Sequence, residues 1–260
     1  MIPKTIHYCW FGENPLPDLT LKCIESWKKY CPDYKIIEWN ESNFDVNSIN
    51  YTAEAYRTKK YAFVADYVRF EILYQYGGIY LDTDVEIVKP IDDLLQHSIF
   101  FGREEVNRVN PGLIMGCEPQ NRFVGDMINL YKGVQFLNED TKSLKTIVDY
   151  TTEMLVSRGW TPTSEIQKVE EIAIYPVEFF CPKSYKTGVM TIMENTYTIH
   201  HFDSSWFTEH DKKRLRLQQR FNKVLGIKVG SKVLGGMYYL KEYGPRETLK
   251  RIKSLLLNNF

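Results

Sequence analysis

The chain has 260 residues, 43% apolar and 25% charged, with 33 basic against 33 acidic side chains. Those proportions suit one sizeable globular unit and exclude disordered, fibrous and collagen-like classes. Five cysteines, Cys9, Cys23, Cys31, Cys117 and Cys181, lack the close spacing of a zinc site or a disulfide framework, so thiols in a reducing compartment are expected.

The opening Met1-Ile2-Pro3-Lys4-Thr5-Ile6-His7 has no basic segment followed by an apolar stretch and does not read as a secretory signal. No apolar run approaches the roughly 18 residues of a membrane-spanning helix. The expected location is the cytoplasm, at the inner face of the membrane if the basic tail described below binds lipid.

In chain order, Lys4 to Gly12 reads as a short buried strand ending in a glycine turn, and Pro15 and Pro17 mark a loop. Leu21, Ile24 and Trp27 recur at helical spacing until Cys31-Pro32-Asp33 stops the run, and Tyr34 to Trp39 reads as a second strand. Residues 54–76 carry a helical pattern that Gly77-Gly78 terminates. Ile79-Tyr80-Leu81 is then a strand that delivers Asp82-Thr83-Asp84 at its end, where open α/β sheets collect ligands. Further strands are expected at 98–102, 112–116, 172–177 and 196–201, with helices near 120–133 and 141–158. The pattern predicts an α/β fold, with a single mixed, mostly parallel sheet flanked by helices.

The zero net charge is unevenly spread. Residues 211–260 hold thirteen Lys and Arg against three acidic residues, so this tail is about +10 and the preceding body about −10. The change near residue 208 divides the chain into a catalytic domain, 1–208, and a basic helical appendage, 209–260. An anionic membrane or a nucleic acid would complement the tail, and a solvated basic hairpin accounts for it equally well. Within 245–260, Arg246, Lys250, Arg251 and Lys253 alternate with Leu249, Ile252, Leu255, Leu256 and Leu257. That spacing gives a helix with one apolar and one cationic face, suited to a peripheral membrane contact or to docking on protein. Nucleic acid is not expected as a partner.

Asp82 and Asp84, on alternate positions of an extended segment, would point to one side and repel unless a cation lay between them. Hard divalent ions such as Mg²⁺ or Mn²⁺ bind one or two such carboxylates together with substrate phosphates. On the preceding helix, Asp66 and Arg69 are three apart and share a face. Taken alone they are a surface ion pair, but the helix runs into the Gly-Gly turn and the acidic strand, which sets them beside Asp82.

Three runs, Ile2-Pro3-Lys4-Thr5-Ile6-His7-Tyr8-Cys9-Trp10-Phe11-Gly12, Tyr61-Ala62-Phe63-Val64-Ala65-Asp66-Tyr67-Val68-Arg69 and Tyr76-Gly77-Gly78-Ile79-Tyr80-Leu81-Asp82-Thr83-Asp84, occur in order. Together they resemble the glycosyltransferases with a DXD sugar-binding region. That group includes capsular-polysaccharide transferases and fungal α-1,6-mannosyltransferases, and its core is similar to the large glucosylating bacterial toxins. The resemblance covers most of residues 1–210.

It implies a GT-A fold, a divalent cation and retention of anomeric configuration. It implies a hexose moved from a nucleotide-diphosphate sugar, a UDP-hexose first and GDP-mannose second, to a glycan or lipid-linked glycan in surface or capsular polysaccharide synthesis. By position, Trp10 stacks on the base, Asp66 holds sugar hydroxyls and Arg69 contacts sugar or diphosphate. Asp82 reaches ribose and sugar and shares the cation, and Asp84 ligates it. In Tyr197-Thr198-Ile199-His200-His201-Phe202-Asp203-Ser204-Ser205-Trp206, the family's I-x-H-F pattern selects His201 over His200 for the metal shell. Ser205 and Trp206 resemble toxin elements that close over the diphosphate.

No residue reads as a nucleophile. Glu104, Glu105 and Asp203 are candidates for a far-face acid, and front-side displacement, with the departing phosphate taking the acceptor proton, needs none. A haloacid-dehalogenase-type phosphatase also uses Asp-x-Asp after an apolar strand, but its motif opens the fold. Here Glu86 stands where Thr or Val is usual, and Gly125-Asp126 lacks the second acid of the later metal element. A non-catalytic glycan-binding protein is the third reading, and the retained carboxylates weigh against it because unpaired charges are costly to keep.

Overall fold

The computed structural model describes residues 1–136, 145–203 and 208–257, from 248 onwards as helix backbone alone. The chain divides into two compact units: Met1–Pro182 with Thr191–Asp203, and Lys183–Met190 with Ser204–Phe260.

In the first unit, strand β1 (Thr5–Cys9) leads to helix α1 (Asp18–Tyr30), β2 (Lys35–Trp39), α2 (Asn50–Arg57), α3 (Tyr61–Tyr76), β3 (Gly78–Tyr80) and β4 (Val85–Ile87). There follow β5 (Ile99–Glu105), β6 (Arg108–Cys117), α4 (Arg122–Lys132), α5 (Ile147–Ser157), β7 (Gln167–Val169), β8 (Ile172–Tyr175), the short α6 (Val177–Phe180) and β9 (Thr198–His200). The central sheet has the order β2-β1-β3-β6-β5-β8-β7, and β4 with β9 forms a separate two-stranded ribbon.

The sheet is mixed, but parallel pairing does not dominate it. β1 runs parallel to β2 and β3, and β5 to β8, whereas β6 is antiparallel to both its neighbours and β7 to β8. The cause is the tight β5–β6 connection, which can only return antiparallel. A further departure is that the expected helix over 54–76 is two helices: Lys59 lies at φ 58° between α2 and α3, which a continuing helix cannot accommodate.

Apolar side chains fill both faces of the sheet. Phe70, Tyr80, Phe101, Met115, Phe123 and Tyr131 pack on the side of α3 and α4, and Ile6, Trp27, Leu81, Phe100, Ile114 and Phe180 on the side of α1. α3 is buried nearly all round, which explains why it presents no single apolar stripe. Its end is set by Gly77 and Gly78 at φ 63° and 103°. A Cβ on Gly78 would lie 2.7 Å from the Thr5 carbonyl oxygen and 3.0 Å from His7 Nε2, so glycine is what lets β3 lie against β1. All five cysteines are buried thiols without a disulfide.

In the second unit, α7 (Glu209–Leu225) starts from a capping box in which Thr208 and Asp211 exchange hydrogen bonds. Gly226, at φ 77°, turns the chain into α8 (Ile227–Leu257), which is interrupted at Gly244-Pro245. The two helices come close at Gly230, where a Cβ would lie 2.6 Å from Asn222 Oδ1. The turn 183–190 joins this unit through Gln219 and Asn222, whose amides donate to the Tyr185 and Lys186 carbonyls.

Candidate functional site: a shared arginine and a bent acidic turn

Because α3 is buried all round, it carries two charged side chains into the interior. Arg69 is 3% exposed, and its Nη2 lies 3.0 Å from Asp66 Oδ1 and 3.2 Å from Asp82 Oδ1. Its Nε donates to the Ala65 carbonyl, and its guanidinium lies 4.5 Å from the centre of the Tyr80 ring. Tyr80 Oη donates to Asp82 Oδ1 at 3.3 Å. One guanidinium thus serves two carboxylates, and its Nη1 has no hydrogen-bond partner among the described residues. A buried donor of that kind is a ready hydrogen-bonding group for an acceptor oxygen. Burial, opposed by Arg69, pushes the Asp66 carboxyl up to about 7.

The acidic pair does not lie on an extended strand. β3 ends at Tyr80, and Asp82 to Val85 form a turn in which the Val85 N–H donates to the Asp82 carbonyl at 3.1 Å. The two carboxylates therefore take different partners, Asp82 facing Arg69 and Asp84 facing β9. Asp84 Oδ1 lies 3.2 Å from His200 Nε2, and Oδ2 accepts the Asp203 N–H at 2.9 Å. Burial alone would raise Asp84, but the His200 ring and the Asp203 N–H hold its carboxyl at about 2. The same burial would deprotonate His200, and Asp84 holds it well above the usual imidazole range.

The register of β9 against β4 pairs His200 with Val85 and turns the next side chain the other way. His201 Nε2 lies 2.8 Å from Glu86 Oε2, and its N–H donates to the Asp84 carbonyl. The His side chain that meets Asp84 is thus His200, while His201 approaches the acidic turn by its backbone. Trp10 is half-buried beside the core and donates its indole N–H to the Asn14 carbonyl at 2.6 Å. Of the far-face acids, Glu104 is engaged by Arg108 and by the Asn110 amide, and Asp203 meets Asp84 through its backbone. Ser205 and Trp206 lie outside the described residues.

Sequence reading missed two partners of Asp82, Tyr80 and Gly112, and Asn110, which holds Gly112. The Gly112 N–H donates to Asn110 Oδ1 at 2.7 Å, and its carbonyl accepts the Asp82 N–H at 2.9 Å. A Cβ there would overlap Asp82 Oδ2 and lie 2.8 Å from Arg69 Nη1. A glycine inside an apolar strand pattern is the available signal, since it marks close approach by another group.

Asp84, ionised across the physiological range, is a suitable hard oxygen donor for Mg²⁺ or Mn²⁺, with Asp82 two residues away. Among the described residues no three His, Cys, Asp or Glu side chains gather into a complete cage.

Residues 17–101 match the family model described as the glycosyltransferase sugar-binding region containing a DXD motif. Over 127 residues, 47% of this chain and 35% of the relative, the chain is 34% identical to inositol phosphoceramide mannosyltransferase 3 of Schizosaccharomyces pombe. It is 32% identical to the initiation-specific alpha-1,6-mannosyltransferase of Candida albicans over 126 residues, 45% of this chain and 32% of that one. It therefore spans about a third of the length of these curated relatives. An uncharacterised glycosyltransferase of Acanthamoeba polyphaga mimivirus is 28% identical over 71% of this chain and 77% of its own. Among solved structures, the PaToxG glycosyltransferase superposes with a TM-score of 0.50 at 20% identity, covering 60% of this chain and 69% of that one. Residues 17–101 thus resemble the sugar-binding region of the DXD-containing glycosyltransferases, and the chain has a GT-A type α/β fold.

Proposed function

We propose that the chain transfers a hexose from a nucleotide-diphosphate sugar to a glycan or glycolipid acceptor. The observation that carries this reading is the buried Arg69, shared by Asp66 and Asp82 at 3.0 and 3.2 Å, with one donor nitrogen that has no hydrogen-bond partner among the described residues. Such a group offers sugar hydroxyl or phosphate oxygens a charge-assisted hydrogen bond already oriented by its neighbours. Asp66 and Asp82 accept from sugar or ribose hydroxyls, and Trp10 supplies an aromatic face for the base. The donor is a UDP-hexose or GDP-mannose, and the names of the fungal relatives favour mannose. Those names also include a ceramide acceptor, which favours an acceptor carried on lipid.

Asp84, with Asp82, would hold Mn²⁺ or Mg²⁺. A bound cation would neutralise charge on the leaving diphosphate. His200 fixes the orientation of Asp84 from behind. Asp82 is tied to Arg69 and Tyr80, an arrangement that stabilises a carboxylate rather than freeing it as a nucleophile. Front-side displacement with retention needs no protein nucleophile, and Glu104, one of the three candidate far-face acids, is already engaged by Arg108 and Asn110.

A thermal-shift screen of UDP and GDP with and without Mn²⁺ tests the reading. A nucleotide at 100 times its Kd stabilises the folded protein by about 2.7 kcal/mol. One diphosphate raising Tm only with the cation is the expected result. No shift with either nucleotide, in protein shown to be folded, overturns it.

A further inference from the structure

The first half of α8 exposes an apolar stripe that its own unit does not cover. Val229, Val233, Met237, Leu240 and Tyr243 are 38% to 54% exposed. Their spacing of four, four, three and three residues keeps them on one side of a helix with 3.6 residues per turn. The opposite side packs on α7: Leu234 is 1% exposed, Gly230 meets Asn222, Ser231 bonds Gln218, and Arg214 lies 4.6 Å from the Tyr238 ring centre. The stripe is therefore not the packing seam of the hairpin.

Its borders are cationic. Exposed Lys228 and Lys232 lie along one edge and Lys241 along the other, whereas Glu242 falls on the side away from the stripe. No helix among the described residues is long and apolar enough to cross a membrane.

We propose that this face of α8 docks on an anionic membrane surface, with the apolar stripe in the headgroup boundary and the lysines on lipid phosphates. Charge complementarity selects that occupant. A protein partner for an apolar stripe needs no cationic border on both edges, whereas an amphipathic helix lying in an anionic interface uses both features. The proposal goes beyond the transferase reading and does not depend on it. The stripe lies before the Gly244-Pro245 interruption; the side chains from 248 onwards, which carry most of the face expected over 245–260, lie outside the described residues.

The test is co-sedimentation of the full chain with phosphatidylcholine vesicles, with and without phosphatidylserine, at low and high salt. The protein pellets with the anionic vesicles and is released by salt. Replacing Lys228 and Lys232 by Gln lowers the partition coefficient roughly 30-fold, from about 1 kcal/mol per basic residue. A Val233→Glu, Met237→Glu, Leu240→Glu variant lowers it further. All three positions are exposed, so the variant stays folded, and its nucleotide thermal shift, read on the same samples, separates this outcome from failure of the transferase reading.

Three results each overturn the proposal: equal pelleting with neutral and anionic vesicles, no pelleting with either, or Glu variants that pellet like the parent. A parent that elutes as a dimer, with the Glu variants monomeric, does so too and assigns the stripe to a second copy of the chain.

Discussion

Replacing Gly112 by Ala adds one methyl group where the site has no room. The new Cβ would lie 2.8 Å from both Asp82 Cγ and Arg69 Nη1, against an optimal carbon–carbon separation of about 3.5–4.0 Å. The backbone cannot retreat, because the Gly112 N–H and carbonyl are held by Asn110 and Asp82 at 2.7 and 2.9 Å. Asp82 must therefore move by about 1 Å, breaking its contacts with Arg69 and Tyr80. Misplacement of that size costs about 100-fold in turnover, and overpacking costs about 1–3 kcal/mol of stability. The assay is kcat/KM for donor consumption, with Tm measured alongside. Gly235→Ala is the matched control, since its Cβ meets nothing within 4 Å on an exposed helical position. Turnover of Gly112→Ala within threefold of the parent, at unchanged Tm, would refute the placement of Asp82 against Arg69.

Arg69→Lys keeps the charge but cannot span Asp66 and Asp82 with a planar fork, so turnover falls about 100-fold; near-normal kcat contradicts this. Asp84→Asn removes cation-dependent nucleotide binding while the fold survives, because the Asn amide oxygen can still accept the Asp203 N–H and His200, no longer held charged by a carboxylate, becomes neutral. Calorimetric titration with UDP or GDP and Mn²⁺ checks it, and unchanged affinity removes Asp84 from the cation site.

His7 gives the pH dependence. Trp39 Nε1 donates to His7 Nδ1 at 3.0 Å, so His7 Nε2 carries the ring proton and donates to the Gly77 carbonyl. Burial lowers its pKa to about 4 from 6.5, so the unfolded chain takes up the proton first. The stability held by neutral His7 is complete above about pH 6.5 and is lost as pH falls toward 4, at about 2 kcal/mol between pH 7 and 5. Urea denaturation at the two pH values measures the loss, and His7→Gln, which can both donate and accept, should flatten it.

The association of Asp66, Arg69 and Asp82 was legible in the sequence because local rules suffice for it. Three-residue spacing on a helix, a Gly-Gly stop and an apolar strand fix their directions within about twenty residues. The partners of Asp84 were not legible, because they depend on the register of β9 against β4, more than 110 residues away in sequence. One step of register exchanges His200 for His201, and a short sequence pattern does not encode that step. The turn at Asp82–Val85 escaped for a related reason: Thr83 suits a strand by propensity, but the chain must turn there to bring Val85 into register with His200 in the β4–β9 ribbon. Gly112 was visible as a glycine in a strand, but the groups it makes room for, Asp82 and Arg69, arrive from the turn after β3 and from α3.

The most direct test of the central claim is release of nucleoside diphosphate from a panel of UDP-hexoses and GDP-mannose, followed with and without Mn²⁺ in the parent and in Asp84→Asn. Cation-dependent release from one donor, lost in Asp84→Asn and accelerated by a lipid-linked or glycan acceptor, is predicted. Release of inorganic phosphate from monoesters, with every nucleotide sugar left intact by folded protein, would contradict it.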